Sequence, residues 1–403
     1  MKLVDDLLLQ NRGLLVLFSL VILSLPLKNA IYQISYGLFA LLFLFSVIRS
    51  GDYRLFQENI RFSVLFALIF LSMAISNYLG VEGSERWELL LKFVFRYVLL
   101  FFAVLYLLKE RVVSMNFVLL LIVASFSIQA FDGIYQQYTG YDFFVNRKIV
   151  GNRLLAATFS SNALGFLLFV NISILLYYLI AAVQKGRRPL VIAAYSLLIC
   201  ASAYVLLHTS SRSSWVAATV FLVILVALNF RQLNMKNYTT IAVFVLAVAL
   251  YIINDDTVFS RFSTLVAGQS PIRIDIWLFS IEQFLLAPVF GYGLNSYSVL
   301  GGPHPNIHMP HNIVFEILIF LGLTGLVLFS ALFISVFMSS ISVFKRHRLL
   351  GSFLMAIFAA ILVGYLFDHS ITDSKITNTI LFTMMAVIVN AGHGILKRAE
   401  SQV

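Results

Sequence analysis

Three basic side chains stand where an otherwise apolar chain turns polar, and their types suit work on a phosphate-bearing substrate. Arg212 lies in the run His208-Thr209-Ser210-Ser211-Arg212-Ser213-Ser214-Trp215. Hydroxyls ring it beside a helix start, and such a donor set suits an anionic headgroup. Arg273 follows Ser270 and Pro271, which read as N-cap and first helical position. A cation in the first turn opposes the helix dipole unless an anion sits between them, so the free N–H groups and the guanidinium point to one phosphate. His311 ends the proline-stiffened run from Gly302 and is delivered to the mouth of the next apolar span. Its ordinary pKa of about 6.5, with a helix N-terminus favouring the neutral ring, fits a general base. Arginines that neutralise a diphosphate leaving group, with a base for an acceptor hydroxyl, are the parts needed to attack a lipid-linked sugar diphosphate.

Each residue also has a plainer reading. Arg212 alone is equally a snorkelling interfacial arginine. His304, His308 and His311 crowd one short run and raise the question of zinc. Pro305 and Pro310 break the helix that such a spacing needs, and no cysteine is near, so no metal and no cofactor are expected.

Supporting residues are expected from other polar stretches. Asn312 opens a helix with Glu316 one turn on, where a carboxylate is costly unless functional or paired. Gly322 and Gly325 in that span permit close helix approach. The segment 132–162 carries Asp132, Gln136, Asp142, Arg147, Lys148 and Arg153 among tyrosines. That mixture binds sugars by stacking and paired hydrogen bonds, and it equally describes an interfacial tyrosine belt. The last polar loop brings Asp368, His369 and Asp373. Lys92 and Arg96, beyond a loop with Glu82, Glu85 and Glu88, either snorkel or hold an anionic lipid.

These residues hang on a frame that composition makes clear. With 61% hydrophobic residues, 11% charged and a mean hydropathy of +0.94, the 403-residue chain reads as an all-α polytopic membrane protein. Apolar runs place about twelve spans at roughly 13–27, 30–48, 62–80, 90–108, 113–132, 163–184, 190–207, 213–229, 239–253, 312–337, 350–368 and 376–395. The first run follows Asp5 and Asp6 without a cleavage site and reads as an uncleaved span. The whole chain, 1–403, is expected as one membrane domain, with a large polar loop at 254–311 between spans nine and ten. A helix with Ile274, Trp277, Leu278, Ile281 and Leu285 on one face would lie there on the membrane or the protein. Cys200 falls inside a span, so no disulfide framework exists.

The net charge of +10 is a topology signal. Setting the N-terminus in the cytoplasm gathers Lys2, Arg12, Arg49, Arg54, Arg61, Lys109, Arg111, Lys185, Arg187, Arg188, Arg231, Lys236, Lys345, Arg346, Arg348, Lys397 and Arg398 on the inner side. That asymmetry excludes nucleic acid as a partner and puts both termini inside, with 132–162, 208–212, 254–311 and 368–375 outside.

The order of motifs resembles the O-antigen ligase and polymerase superfamily of bacterial envelope glycosyltransferases over roughly residues 130–375. It runs from Asp132, Gln136 and Gly140 through Thr209 to Arg212, then Arg273 with Trp277, Pro288, Gly291 and Gly293, to Pro310, His311, Asn312, Glu316, Gly322 and Gly325. The resemblance implies twelve helices under a large periplasmic loop containing short helices, in the bacterial inner membrane. It implies metal-independent, inverting transfer of a polysaccharide from undecaprenyl diphosphate, with Arg212 and Arg273 on the diphosphate and His311 as base; His308 competes for that role. A compact chain resembles the ligases, whose acceptor is lipid A-core, more than the protein-glycosylating relatives. A polymerase, acting on another lipid-linked repeat, is the alternative within the family. A lipid-linked oligosaccharide flippase or transporter is the alternative outside it; repeated halves and mid-membrane charges would favour that class.

Overall fold

The computed structural model describes residues 2–27, 29–51, 53–83, 86–268, 271–304, 307–372 and 374–400. Glu85, Ser270, Pro305 and Asp373, and the side chains of Lys2, Lys397 and Arg398, lie outside that description. The chain opens with α1 (Lys2–Ser24), α2 (Asn29–Ser50), the short α3 (Arg54–Glu58) and α4 (Ile60–Leu79). The fourth crossing is built of α5 (Trp87–Lys92), a π-helical turn (Phe93–Val98) and α6 (Leu99–Lys109). Then come α7 (Met115–Thr139), α8 (Ser161–Gln184), α9 (Pro189–His208), α10 (Arg212–Asn229) and α11 (Met235–Asn254). Three helices fill the polar segment: α12 (Asp256–Val266), α13 (Pro271–Leu286) and α14 (Ser296–Val299). The chain closes with α15 (Ile313–Phe344), α16 (Arg348–Tyr365) and α17 (Lys375–Glu400). Among the described residues eleven helices are long and apolar enough to cross a membrane, and Asn11–Ser24 within α1 is a shorter apolar helix. Each expected span thus finds a helix.

Local chemistry sets the starts. Ser114, Ser160, Asn234 and Asp255 each accept a first-turn N–H, and Pro189 opens α9 at a position where no N–H is needed. The interior is aromatic where α4, the π turn, α6 and α17 meet. Phe66, Phe93, Tyr97, Phe101 and Phe382 pack there with ring centroids 5.2–6.1 Å apart.

Cross-chain contacts sort the loops into two ends. At one end Lys375 Nζ donates to Asn29 Oδ1, Val81 N to Tyr292 O, Leu154 N to His208 O and Arg261 Nε to Ser210 O. At the other, Arg61 donates to Ser335 O, Arg348 to Leu228 O, and Lys109 pairs with Glu58 at 3.0 Å. The candidate chemistry sits at the first end.

Three expectations need correcting. The tenth span does not run unbroken from 312: α15 is interrupted at Gly322 (φ 63°, ψ −157°). At about 1.5 Å per residue the part 323–344 alone is about 33 Å long, the thickness of a hydrocarbon core. The turn-rich loop 288–293 plugs the break. Leu323 N donates to Pro288 O (2.8 Å) and Thr324 N to Val289 O (3.2 Å), while Tyr292 N and Gly293 N donate to Ile319 O (2.9 Å) and Phe320 O (3.2 Å). Gly322 is therefore a chain break and not merely a contact surface, because its neighbours find main-chain partners outside the helix. Second, α7 continues to Thr139, so Asp132 and Gln136 lie inside a helix and not in a loop. Third, α12 was not anticipated, and α13 packs along α15, with Trp277 against Phe315 at 5.7 Å.

Candidate functional site

Arg212 and Arg273 line one cavity of about 320 Å³, together with Ser213 and Val216 of α10, Leu265 of α12, Gly268, Ile274 and Trp277 of α13, and Phe367. The N-termini of α10 and α13 both border it, and Ser211, the N-cap of α10, makes no side-chain cap hydrogen bond. Two helix N-termini, the Ser213 hydroxyl and two guanidiniums thus border one space.

The turn between α9 and α10 is gripped from two sides. Arg153 Nε donates to Thr209 O at 2.8 Å and its terminal nitrogen to Asn162 Oδ1 at 2.6 Å, while Arg261 Nε reaches Ser210 O at 3.4 Å. Ser210 adopts φ 53°, a conformation rare for a residue with a Cβ. These contacts leave four guanidiniums mutually felt: Arg261 and Arg273 act on Arg212, and Arg261 and Arg212 act on Arg153. Burial first, then Arg261 and Arg212, press the Arg153 guanidinium below its usual pKa, and Asp368 opposes them. Two guanidiniums line the cavity and two more stand near it with one carboxylate, so the surroundings are net positive and an anion would stabilise them.

His311 stands beside that cavity. Its Nδ1 is 3.4 Å from Asp368 Oδ1, an ion-pair distance without hydrogen-bond alignment, since Nδ1 has no hydrogen-bond partner among the described residues. Phe367, next to Asp368, lines the arginine cavity. His311 has φ 52°, so the backbone holding the ring is strained, as functional positions often are. Asp368 beside Nδ1 favours the tautomer whose proton is on Nδ1, which leaves the Nε2 lone pair to accept.

The pose of Asp368 is fixed from below. Asn312 caps α15, accepting from Val314 N and Phe315 N, and Glu316, buried one turn on, accepts from Ser370 Oγ (2.7 Å) and Thr372 Oγ1 (2.9 Å). Glu316 therefore ties Ser370 and Thr372 to α15, whose N-cap Asn312 follows His311. His369 is buried against Phe166 and Tyr365 at 4.9 and 5.5 Å. Its pKa is lowered chiefly by burial, with Asp368 pulling it up and His311 pushing it down.

The remaining expected residues divide. His304 faces Asp275 (3.5 Å) and His308 is exposed, so the three histidines have different surroundings. No group of metal-ligating side chains forms among the described residues. Gln136 is buried and donates to Arg147 O (2.9 Å) while accepting from Leu155 N and Ala156 N (2.9 and 2.8 Å). Asp132 accepts from Phe143 N, and Asp142 accepts from Val145 N and Arg147 N. These groups fold the loop 140–160 onto α7, whereas the tyrosines around them stay exposed. Arg147 donates to Thr158 O and stands over Phe159, and Lys148 is exposed. Arg261, which lies outside the cavity lining but acts on Arg212 and reaches Ser210 O, was not singled out. Its signal was present: Val258, Arg261, Phe262 and Leu265 recur at helical spacing, which puts the arginine on the face that packs inward.

No curated protein matches the chain. Residues 196–330 match the family model described as O-Antigen ligase. That range contains Arg212, Arg261, Arg273, His311 and Glu316, while Arg153 and Asp368 flank it. The family's activity is of the ligase or polymerase type, a glycosyl transfer from lipid-linked polysaccharide. That match, over about a third of the chain, supports membership of the O-antigen ligase/polymerase superfamily.

Proposed function

We propose that the protein is an O-antigen ligase of the bacterial inner membrane, transferring O-polysaccharide from undecaprenyl diphosphate to a sugar hydroxyl of lipid A-core. The observation that carries this reading is the cavity shared by Arg212 and Arg273, with the His311–Asp368 pair beside it. The basic loops at the opposite end of the bundle support a cytoplasmic orientation for that end and for both termini. The site and the segment 254–311 then face the periplasm.

In this mechanism the donor diphosphate occupies the cavity against Arg212 and Arg273, with the charge of Arg261 acting beside Arg212. His311 Nε2 takes the proton of the acceptor hydroxyl, and the freed oxygen attacks the anomeric carbon. The bond from that carbon to the diphosphate oxygen breaks, its electron pair leaves on undecaprenyl diphosphate, and the arginines offset the charge. One displacement inverts the anomeric centre. Nothing in the step calls for a metal.

The break at Gly322 bears on the transporter alternative. Transporters use unwound helices because the freed backbone groups bind the cargo. Here Ile319 O, Phe320 O, Leu323 N and Thr324 N are all paired within the protein, so those groups are not available to a ligand.

Purified protein in liposomes should transfer glycan from the undecaprenyl diphosphate donor to lipid A-core in the presence of a chelator. Loss of transfer on chelation would overturn the metal-free step. A deletion strain should lose all O-antigen from lipid A; retention of a single repeat would identify a polymerase. Movement of labelled lipid between leaflets without sugar transfer would identify a transporter.

A further inference from the structure

A second group of cations gathers at the same end of the bundle, outside the arginine cavity. Lys375, the first residue of α17, lies with Nζ 3.1 Å from Asn29 Oδ1 and 4.7 and 5.7 Å from the ring centroids of Tyr32 and Phe159. Arg96, on the π-helical turn, acts electrostatically on Lys375, Tyr32 and Tyr36. Arg147 stands over the same Phe159 ring at 4.6 Å. Among the described residues no carboxylate comes within ion-pair distance of Lys375 or Arg96.

Two features argue against a bystander role. The Tyr36 hydroxyl lies 2.6 Å from Phe95 O and 2.8 Å from Arg96 O, so it fastens the π turn that carries Arg96. Single π turns are rare and recur at functional sites. A snorkelling arginine reaches outward to headgroups. Arg96 instead sits on the turn held by Tyr36, whose ring stacks at 5.9 Å on Tyr32, the ring beneath Lys375. Two cations gathered there are unfavourable in a membrane-spanning region unless an anion joins them.

Position indicates which anion. Lys375 closes the loop 366–374 that presents Asp368 to His311. The cations lining the donor cavity are Arg212 and Arg273, and neither Lys375 nor Arg96 borders it. The two cationic groups are therefore separate, and the chain from Phe367, which lines the cavity, to Lys375 links them. Asn29 and Phe159 at the second group are exposed, which gives access from the surrounding lipid.

We infer that Lys375 and Arg96 hold a phosphate group of the acceptor lipid, so that its sugar approaches His311 from the side away from the donor diphosphate. This rests on the function proposed above, and it holds for a ligase or a polymerase acceptor, since both are phosphorylated lipids.

The test measures binding apart from transfer. Full-length protein in phosphatidylcholine nanodiscs is titrated with a bisphosphorylated acylated disaccharide and with its dephosphorylated form. The wild type should prefer the phosphorylated lipid by about tenfold or more. Lys375→Gln and Arg96→Gln should each remove most of that preference, and Lys375→Arg should restore it. In transfer assays the same Gln variants should raise the acceptor KM while leaving the donor KM unchanged. A preference that survives in both Gln variants would overturn the inference. So would equal competition by phosphatidylglycerol, which marks a general anionic-lipid site, or by inorganic phosphate, which marks a free-anion site. Absence of transfer by the wild type, with the lipid preference intact, would instead count against the proposed reaction.

Discussion

Replacing Asp368 by Asn keeps the shape of the side chain and removes the charge beside His311. In the transfer step the imidazole becomes imidazolium, and Asp368 Oδ1 is 3.4 Å from its Nδ1. Two unit charges at that separation interact by roughly 5 kcal/mol at an effective dielectric of about 20, which is a ceiling. The His311 side chain is 32% exposed, and solvent screening reduces the figure to about 3 kcal/mol. That corresponds to roughly two powers of ten in rate. The assay is initial-rate transfer of labelled glycan in proteoliposomes, with donor and acceptor varied separately. Asp368→Asn should lower kcat by about a hundredfold. Asp368 also opposes the positive field on Arg153, so its neutralisation should leave the donor KM unchanged or lower it. Asp368→Glu should retain more activity than Asp368→Asn. A kcat within about fivefold of wild type for the Asn variant would refute the pairing of this carboxylate with the base.

Further outcomes follow from other contacts. Arg261→Ala should raise the donor KM by about tenfold or more, since a cation bordering the diphosphate site is lost, and Arg261→Lys should recover only part because the fork geometry is gone; an unchanged donor KM would remove Arg261 from the site. Gly322→Ala should destabilise by about 3 kcal/mol or more, because a Cβ at φ 63° would lie 2.5 Å from Val289 O; a melting midpoint in detergent equal to wild type would contradict the plugged break. His369 has a folded-state pKa below its ordinary 6.5. Its stabilising contribution is thus complete above about pH 6.5 and declines as the pH falls from there through the folded value. Hydrogen exchange in 366–374 should accelerate on acidification from pH 7, and His369→Gln should blunt that response; an identical pH dependence in the variant would exclude His369 as the group responsible.

The sequence made the spans legible because hydropathy and charge asymmetry are one-dimensional signals, and Lys345, Arg346 and Arg348 announce a loop regardless of packing. Arg212, Arg273 and His311 were legible because each interrupts an apolar context beside a helix start. What escaped depended on contacts between distant segments. Gln136 and Asp132 looked like sugar-binding groups because a loop begins soon after them, yet Gln129, Asp132 and Gln136 are spaced at three and four, a polar stripe that continues α7. Their partners are main-chain groups of 143–157, which composition does not reveal. Arg261 was overlooked since it sits on a helix whose existence was not recognised.

The break in α15 explains why these distant residues meet. An unbroken helix over Ile313–Phe344 would be about 48 Å long and would carry His311 straight away from the bundle. Interrupting it at Gly322 lets 313–321 take a direction of its own relative to 323–344. The break exposes two carbonyls and two N–H groups, and in hydrocarbon or at its edge each would be costly if left unpaired. The loop 288–293 pairs all four, and in doing so it anchors the end of α13, the helix that carries Arg273. The same hydrogen bonds that make the kink tolerable therefore fix the donor-side arginine relative to the helix that begins at the base. Gly291, whose added Cβ would fall 2.5 Å from Ile319 O, is the other half of that contact. If this coupling is real, Gly291→Ala should disturb donor KM and kcat together although it touches neither substrate. A variant that loses stability while keeping both constants would show that the plug serves folding alone.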